Sequence, residues 1–201
     1  AMVIQNDQAN GLYGRSLALN GDVNGDSYAD LVIGDANFSQ NSGRVQVLFG
    51  SGDYGGDVKG QTLATGPSGT IVYHRLDISN PATQLDIYPS SYGEGLGRSV
   101  LLAPSDNEYN GNPSSNLLLA TSNGSSSLLS LYGKPLLKGL GSFSARDLGS
   151  AEGVEITGLT NRPSIQPSYG LLGDINGDGN ADALVDLDPT PDKARFKIRF
   201  G

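Results

Sequence analysis

Two segments of the chain alternate apolar and polar residues with a period of two. In "GRVQVLFG", residues 43–50, Val45, Val47 and Phe49 fall on one side, with Arg44, Gln46 and Leu48 on the other. In "ARFKIRFG", residues 194–201, Phe196, Ile198 and Phe200 oppose Arg195, Lys197 and Arg199. Such alternation predicts half-buried antiparallel strands, with the two Val/Ile/Phe sets packed between sheets. The basic stripe at 195–199 reads as a solvated strand face. Further strand candidates are "TIVYHRLDI" (70–78), "QLDIY" (84–88), "GSFSARDL" (141–148) and "GVEITGL" (153–159), punctuated by Gly, Ser, Asn and Pro. No segment carries helical periodicity. The pattern predicts an all-β chain of short strands.

The strands belong to a repeat. "GDVNGDSYADLVIG" (21–34) returns near the other end as "GDINGDGNADALVDL" (173–187), with Asp22, Asn24, Asp26 and Asp30 matched by Asp174, Asn176, Asp178 and Asp182. Gly21 and Gly25 match Gly173 and Gly177, and an apolar, strand-like run follows each cluster. A third, weaker copy lies between them. "GLGRSVLLAP" (95–104) echoes "GLYGRSLALN" (11–20), and "SNLLLATSNGSSSLLSLYG" (115–133) echoes "ADLVIGDANFSQNSGRVQVLFG" (29–50). Its loop keeps only Asp106 and Glu108 as carboxylates, so the middle copy reads as a structural repeat without the charge cluster.

Composition narrows the chemistry. Across 201 residues the formal charge is −8, which disfavours nucleic acid and anionic membranes as partners and suits cations. No apolar run approaches the length of a membrane span, and no signal peptide is visible. Cysteine is absent, which removes disulfides, thiol catalysis and thiolate metal sites.

The crowded carboxylates are the main candidate chemistry. In a D-x-N-x-D loop, residues 1, 3 and 5 turn inward while glycine at position 4 lets the backbone curl. Position 7 offers a carbonyl, from Tyr28 or Asn180, and position 9 another carboxylate, from Asp30 or Asp182. Hard oxygen donors without imidazole or thiolate select Ca²⁺, or less comfortably Mg²⁺. An EF-hand would need a bidentate Glu at position 12 and flanking helices. Ile33 and Val185 stand there, inside strand-like sequence, and exclude it. The plainer alternative is an Asp/Asn/Gly-rich turn with no metal; two matched copies favour the ion. Two Ca²⁺ sites are expected, one in each acidic copy.

Residues 13–50, "YGRSLALNGDVNGDSYADLVIGDANFSQNSGRVQVLFG", resemble the FG-GAP repeat of integrin α-chain β-propellers and related bacterial and fungal propellers. Tyr13-Gly14 stands for the Phe-Gly and Gly34-Asp35-Ala36 for the Gly-Ala-Pro. The resemblance implies calcium ligands at Asp22, Asn24, Asp26, Tyr28 (carbonyl) and Asp30, and again at Asp174, Asn176, Asp178, Asn180 (carbonyl) and Asp182. It implies that each repeat is a four-stranded blade whose calcium loop joins the first two strands, with a structural role for the ion. The last copy lacks the Phe-Gly, since Gln166 stands in its place, and the middle copy keeps Leu96-Gly97 and the strands only. The expected fold is therefore all-β, with about three recognisable FG-GAP-type blades in a partial or oligomer-completed propeller. Residues 1–201 form a single such domain or fragment, with repeats at about 11–90, 91–165 and 166–201. A propeller closes with about four to eight blades. Blade three lacks an outer strand, and "MVIQ" at residues 2–5 is the candidate to supply it.

For function, the resemblance implies a non-catalytic, calcium-stabilised extracellular or cell-surface recognition or adhesion module, with a protein or glycan as ligand. The alternative is a carbohydrate-binding, lectin-like propeller or an accessory domain of a polysaccharide-acting enzyme. Tyrosines in "SGDYGGD", "SSYGEG" and "PSYG" are suited to stacking on sugar faces. An enzyme such as a polysaccharide lyase is disfavoured. The only histidine, His74 in "TIVYHRL", cannot share a strand face with both Tyr73 and Arg75, and no nucleophile elbow or phosphate loop appears. In family propellers the loops opposite the calcium loops lie together. Here those are 35–43, 121–127, 186–193 and the connection near 91–95, which nominates Phe38 and Tyr92 as ligand contacts.

Overall fold

The computed structural model describes residues 2–4, 12–51, 60–66, 69–75, 84–103, 114–121, 128–134, 137, 139–147, 153–156, 169–173, 175–177, 182–186 and 196–199. Among the described residues fifteen strands carry the fold: β1 (Met2–Val3), β2 (Ser16–Gly21), β3 (Asp30–Asp35), β4 (Arg44–Leu48), β5 (Gly60–Gly66), β6 (Gly69–Arg75), β7 (Gln84–Tyr88), β8 (Ser99–Ala103), β9 (Asn116–Ala120), β10 (Leu128–Leu131), β11 (Gly141–Ser144), β12 (Gly153–Ile156), β13 (Tyr169–Gly173), β14 (Asp182–Asp186) and β15 (Phe196–Arg199). Helix is confined, among the described residues, to one irregular turn at Phe38–Asn41, 3-10 geometry at Leu137 and a 3-10 turn at Ala145–Asp147. The fold is all-β. Of the expected strands, 84–88 appears with its full span, 70–78 and 153–159 are strand as far as residues 75 and 156, beyond which they lie outside the described residues, and 141–148 turns into 3-10 geometry after Ser144.

The strands form four sheets, ordered β11-β7-β4-β3-β2, β12-β10-β9-β8, β13-β14-β15 and β1-β6-β5, and among the described residues these do not close into a ring. In the first three, successive strands β2-β3-β4, β8-β9-β10 and β13-β14-β15 form antiparallel meanders of propeller-blade type, here called blades one, two and three. The N-terminal segment does not complete blade three, as the sequence suggested. β1 instead runs parallel to β6, with Met2 opposite His74 and Val3 opposite Arg75. β6 offers an edge there, because β5 occupies only its other side.

The core lies between blades one and two. Val32, Val45, Val47, Phe49, Leu85 and Ile87 of blade one pack against Val100, Leu117, Leu119, Leu129 and Leu131 of blade two. The first half of the alternation expected at 43–50 is thus observed. The other half differs: Gln46 and Leu48 are buried too, because β4 is an inner strand covered on both faces. Leu48 packs with Ile33, Leu31, Tyr13 and Ile4 on that second face. Gln46 is accommodated by hydrogen bonds, accepting from the Tyr13 hydroxyl (2.5 Å) and donating to Gln84 (3.1 Å) and Asp86 (3.0 Å).

Blade three departs from expectation. Ile198, predicted to pack between sheets, is 40% exposed. It lies on β15, which pairs only with β14 among the described strands, so its sheet ends there. The side chains of Phe196 and Phe200 lie outside the described residues.

Candidate calcium loops and recognition rim

The first acidic loop connects β2 to β3. Pairing between these strands runs to Ala18 opposite Val32 and then shifts, so that Gly21 faces Asp30. Asn20 takes up the irregularity with a left-handed φ of 70°. Gly25, with φ 77°, then lets the loop curl. The curl is held by its own side chains. Asp22 Oδ1 accepts the N–H groups of Gly25 (2.6 Å) and Asp26 (3.1 Å), and Oδ2 accepts that of Ser27 (2.6 Å). Asn24 Nδ2 donates to Asp26 Oδ2 (3.0 Å), and the Asp26 N–H also reaches Asn24 Oδ1 (3.1 Å). Asp26 Oδ1 in turn accepts the Tyr28 N–H (3.0 Å). The side chains at positions 1, 3 and 5 are therefore all turned into the loop.

Asp30 has a separate task. It is buried, with Oδ2 accepting the Val23 N–H (2.6 Å) and Oδ1 the Gly50 N–H (2.7 Å). One carboxylate thereby ties the loop to the far end of blade one's third strand. Burial pushes its pKa up to about 6; the two N–H donors oppose the rise, and the nearby charges of Asp22 and Asp26 add to it.

Every side chain in the loop's donor set is a hard oxygen ligand, which fits Ca²⁺. Asp22, Asn24, Asp26 and Asp30, with the carbonyl of Tyr28, would hold the ion. The fit rests on donor chemistry and on the inward-turned loop. As the carboxylates now lie, engaged with backbone N–H groups, no three acidic or imidazole groups among the described residues are gathered into a metal cluster. Asp22 keeps room for an ion, since a carboxylate has about four lone-pair sites and three are taken.

The second acidic loop repeats the backbone of the first, but it is more open: Ile175 is 50% exposed where Val23 is buried. Gly173 faces Asp182 across the same kind of pairing shift, and Gly177 repeats the φ of Gly25 at 78°. Asp182 is buried and its Oδ2 accepts the Ile175 N–H (2.8 Å), as Asp30 does from Val23. Asn176 is exposed. Asp174, Asp178 and Asn180 lie outside the described residues.

The middle copy shows what survives without the acidic cluster. Asn116, at the position of Asp30, accepts the Gly133 N–H through Oδ1 (3.1 Å), as Asp30 accepts that of Gly50. A Cβ on Gly50 would collide with the Ala29 carbonyl, and one on Gly133 with that of Ser115, the matching position. This tie between loop and third strand was missed in the sequence. Its signal was there in the glycine that ends "VLFG" and "SLYG".

At the opposite end of blade one the structure places Phe38 and Tyr92. Phe38 is half-buried, with the Arg44 guanidinium 4.1 Å from its ring centre and the Tyr88 ring 6.0 Å away. Arg44 itself is partly buried between Asp35 (3.5 Å) and Asp86 (3.7 Å). Tyr92 is 69% exposed, and its hydroxyl donates to Gln40 Oε1. Ser39, Gln40 and Asn41 all have left-handed φ, between 47° and 66°. The connection to blade two holds that turn in place, through Gly95 N–H to the Asn41 carbonyl (2.9 Å) and Leu96 N–H to that of Ser42 (3.1 Å). Both nominated aromatics thus belong to one rim, but only Tyr92 presents its ring to solvent.

The stretch from Tyr13 to Leu48, which contains the acidic loop, its flanking strands and β4, matches the family model of a known repeat. The model is that of the FG-GAP repeat, matched over residues 13–48. No curated protein matches the chain. Within the FG-GAP repeat, Gly14 takes a left-handed φ of 77° and its N–H donates to the Gly34 carbonyl (3.0 Å). Gly97 does the same in blade two, with φ 90° and its N–H on the Ala120 carbonyl (3.1 Å). Gly34 is also where the blades touch, since a Cβ there would collide with the Gly97 carbonyl. The glycines of the FG-GAP repeat therefore set both the blade's inner turn and the approach of its neighbour. No helix among the described residues is long and apolar enough to cross a membrane.

Proposed function

We propose that this chain is a calcium-binding, non-catalytic recognition or adhesion module that works outside the cell. Two Ca²⁺ ions would brace it, one held by Asp22, Asn24, Asp26, Tyr28 and Asp30, the other by Asp174, Asn176, Asp178, Asn180 and Asp182. The observation that carries this reading is what the two loops share: a buried aspartate, Asp30 or Asp182, that accepts the N–H seven residues before it, and a glycine of left-handed φ, Gly25 or Gly177. The ion's part is structural: it would neutralise carboxylates that otherwise repel one another across a buried Asp30. Asp26→Ala and Asp178→Ala tests this. Each should remove one ion and part of the calcium-dependent rise in melting temperature, and an unchanged rise in both would refute the assignment.

The ligand is a protein or a glycan, met at the rim that carries Phe38 and Tyr92. Exposed Tyr92 beside the polar side chains of Ser39, Gln40 and Asn41 supports a contact surface of aromatic and amide groups. Phe38 would serve it from below, stacked under Arg44. The same pairing of an exposed ring with amides favours a lectin-like second reading. A glycan array probed with and without calcium separates the two, since glycan-specific binding lost on Tyr92→Ala supports the lectin and its absence supports a protein ligand.

A further inference from the structure

Each blade has two unlike faces. Blade one turns Val32, Val45, Val47, Leu85 and Ile87 toward blade two, and calling this side its forward face gives the rule of assembly. Blade two receives it on Leu117, Leu119, Leu129 and Leu131, which align with Leu31, Ile33, Gln46 and Leu48 of blade one, the residues of its opposite or rear face. Forward packs on rear. Blade two's inner strand β8 then lies beside β13 of blade three, so the three blades follow one another in an arc.

Among the described residues, an arc assembled this way has one open face of each kind. At its leading end, Ile198 of blade three stands at the position of Val47 on the forward face; Val47 is fully buried, whereas Ile198 is 40% exposed. At its trailing end, the rear face of blade one has Leu17 directly opposite Ile33 in the strand pairing, so both point to that side. Ile4 and Tyr13 seal the outer half over Ile33 and Leu48. The inner half is open: Leu17 is 53% and Leu19 59% exposed, on the edge strand of the sheet. Leucines standing side by side in water mark an unfilled contact rather than a solvent face.

We propose that a second copy of this chain fills it, the forward face of blade three in one copy seating on Leu17 and Leu19 of blade one in the other. The contact continues the forward-on-rear packing that already joins blades one and two. Being unlike on its two sides, it must either close or propagate. Two three-bladed arcs joined at both ends give about six blades, within the range in which propellers close.

Sedimentation velocity of the chain in calcium, from about 1 to 100 µM, tests the proposal. The expected result is a single 1:1 self-associated species that populates with concentration. Leu17→Asp/Leu19→Asp, which blocks the rear, and Ile198→Asp, which blocks the front, should each sediment only as monomer, with circular dichroism unchanged. Mixing these two variants leaves one intact front and one intact rear, so the mixture should form a 1:1 complex that neither forms alone. A wild-type chain that stays monomeric throughout overturns the proposal, as does a mixture that fails to associate while the wild type does. Should either aspartate variant unfold, the wild-type series still decides, and Leu17→Ser/Leu19→Ser replaces the charge with a milder change.

Discussion

Asp30 shows how much one side chain does here beyond the role expected of it. The sequence nominates it as a ninth-position ligand; its part as the clamp on Val23 and Gly50 was not legible there, because backbone donors leave no mark on residue identity. The middle copy separates the two roles, since Asn116 keeps the bond to Gly133 where the acidic cluster is lost. Asp30→Ala would leave two buried N–H groups without partners, at a cost of about 1–3 kcal/mol each. Asp30→Asn retains one acceptor and should cost about half as much. Both losses should appear in urea unfolding done in excess chelator, where no ion contributes. A clamp confined to metal binding would instead give no loss without calcium.

At the scale of the element, the period-two pattern located β4 and its Val45, Val47 and Phe49 face, because burial on one side is what alternation reports. It misread the other side. Gln46 and Arg44 look solvated in sequence, yet Gln46 is buried among Tyr13, Gln84 and Asp86, and Arg44 lies between Asp35 and Asp86. A polar ladder across three strands surrounds them, and no local pattern encodes partners forty residues away. Tyr13 reports the same enclosure, its phenol pushed up to about 12 mainly by burial. Arg44→Leu should therefore be far from neutral. It leaves buried Asp35 and partly buried Asp86 without their cation and should cost about 3 kcal/mol in chemical denaturation. It also removes the guanidinium stacked on Phe38, so the turn at Phe38–Asn41 should loosen, read as faster hydrogen exchange at Gly43. A loss below about 1 kcal/mol would mean that the ladder is a surface feature.

For the molecule as a whole, the internal repeat was the most legible feature, and it returns in the matched glycines, bulges and clamps of the copies. How the blades are completed was not legible. The sequence suggested that residues 2–5 serve blade three, whereas β1 joins β6, a choice fixed by which edge is free in space. Ile198 was expected inside for the same reason: its own strand pattern is correct, but burial needs a neighbouring blade. The whole-molecule role proposed for calcium rests on charge. A chain of net charge −8 that gathers six of its 21 acidic residues into two loops should be less stable without the proposed ions. At about 1 mM Ca²⁺ and a Kd of about 10⁻⁴ M, each proposed site would add roughly 1–2 kcal/mol. Chelator should therefore lower the melting temperature by several degrees, reversibly, while Zn²⁺ should not restore it. The most direct test is calorimetric titration of Ca²⁺ into the chelator-stripped chain: two ions per chain are predicted, falling to one in Asp26→Ala, and a stoichiometry of none, one or three would contradict the account.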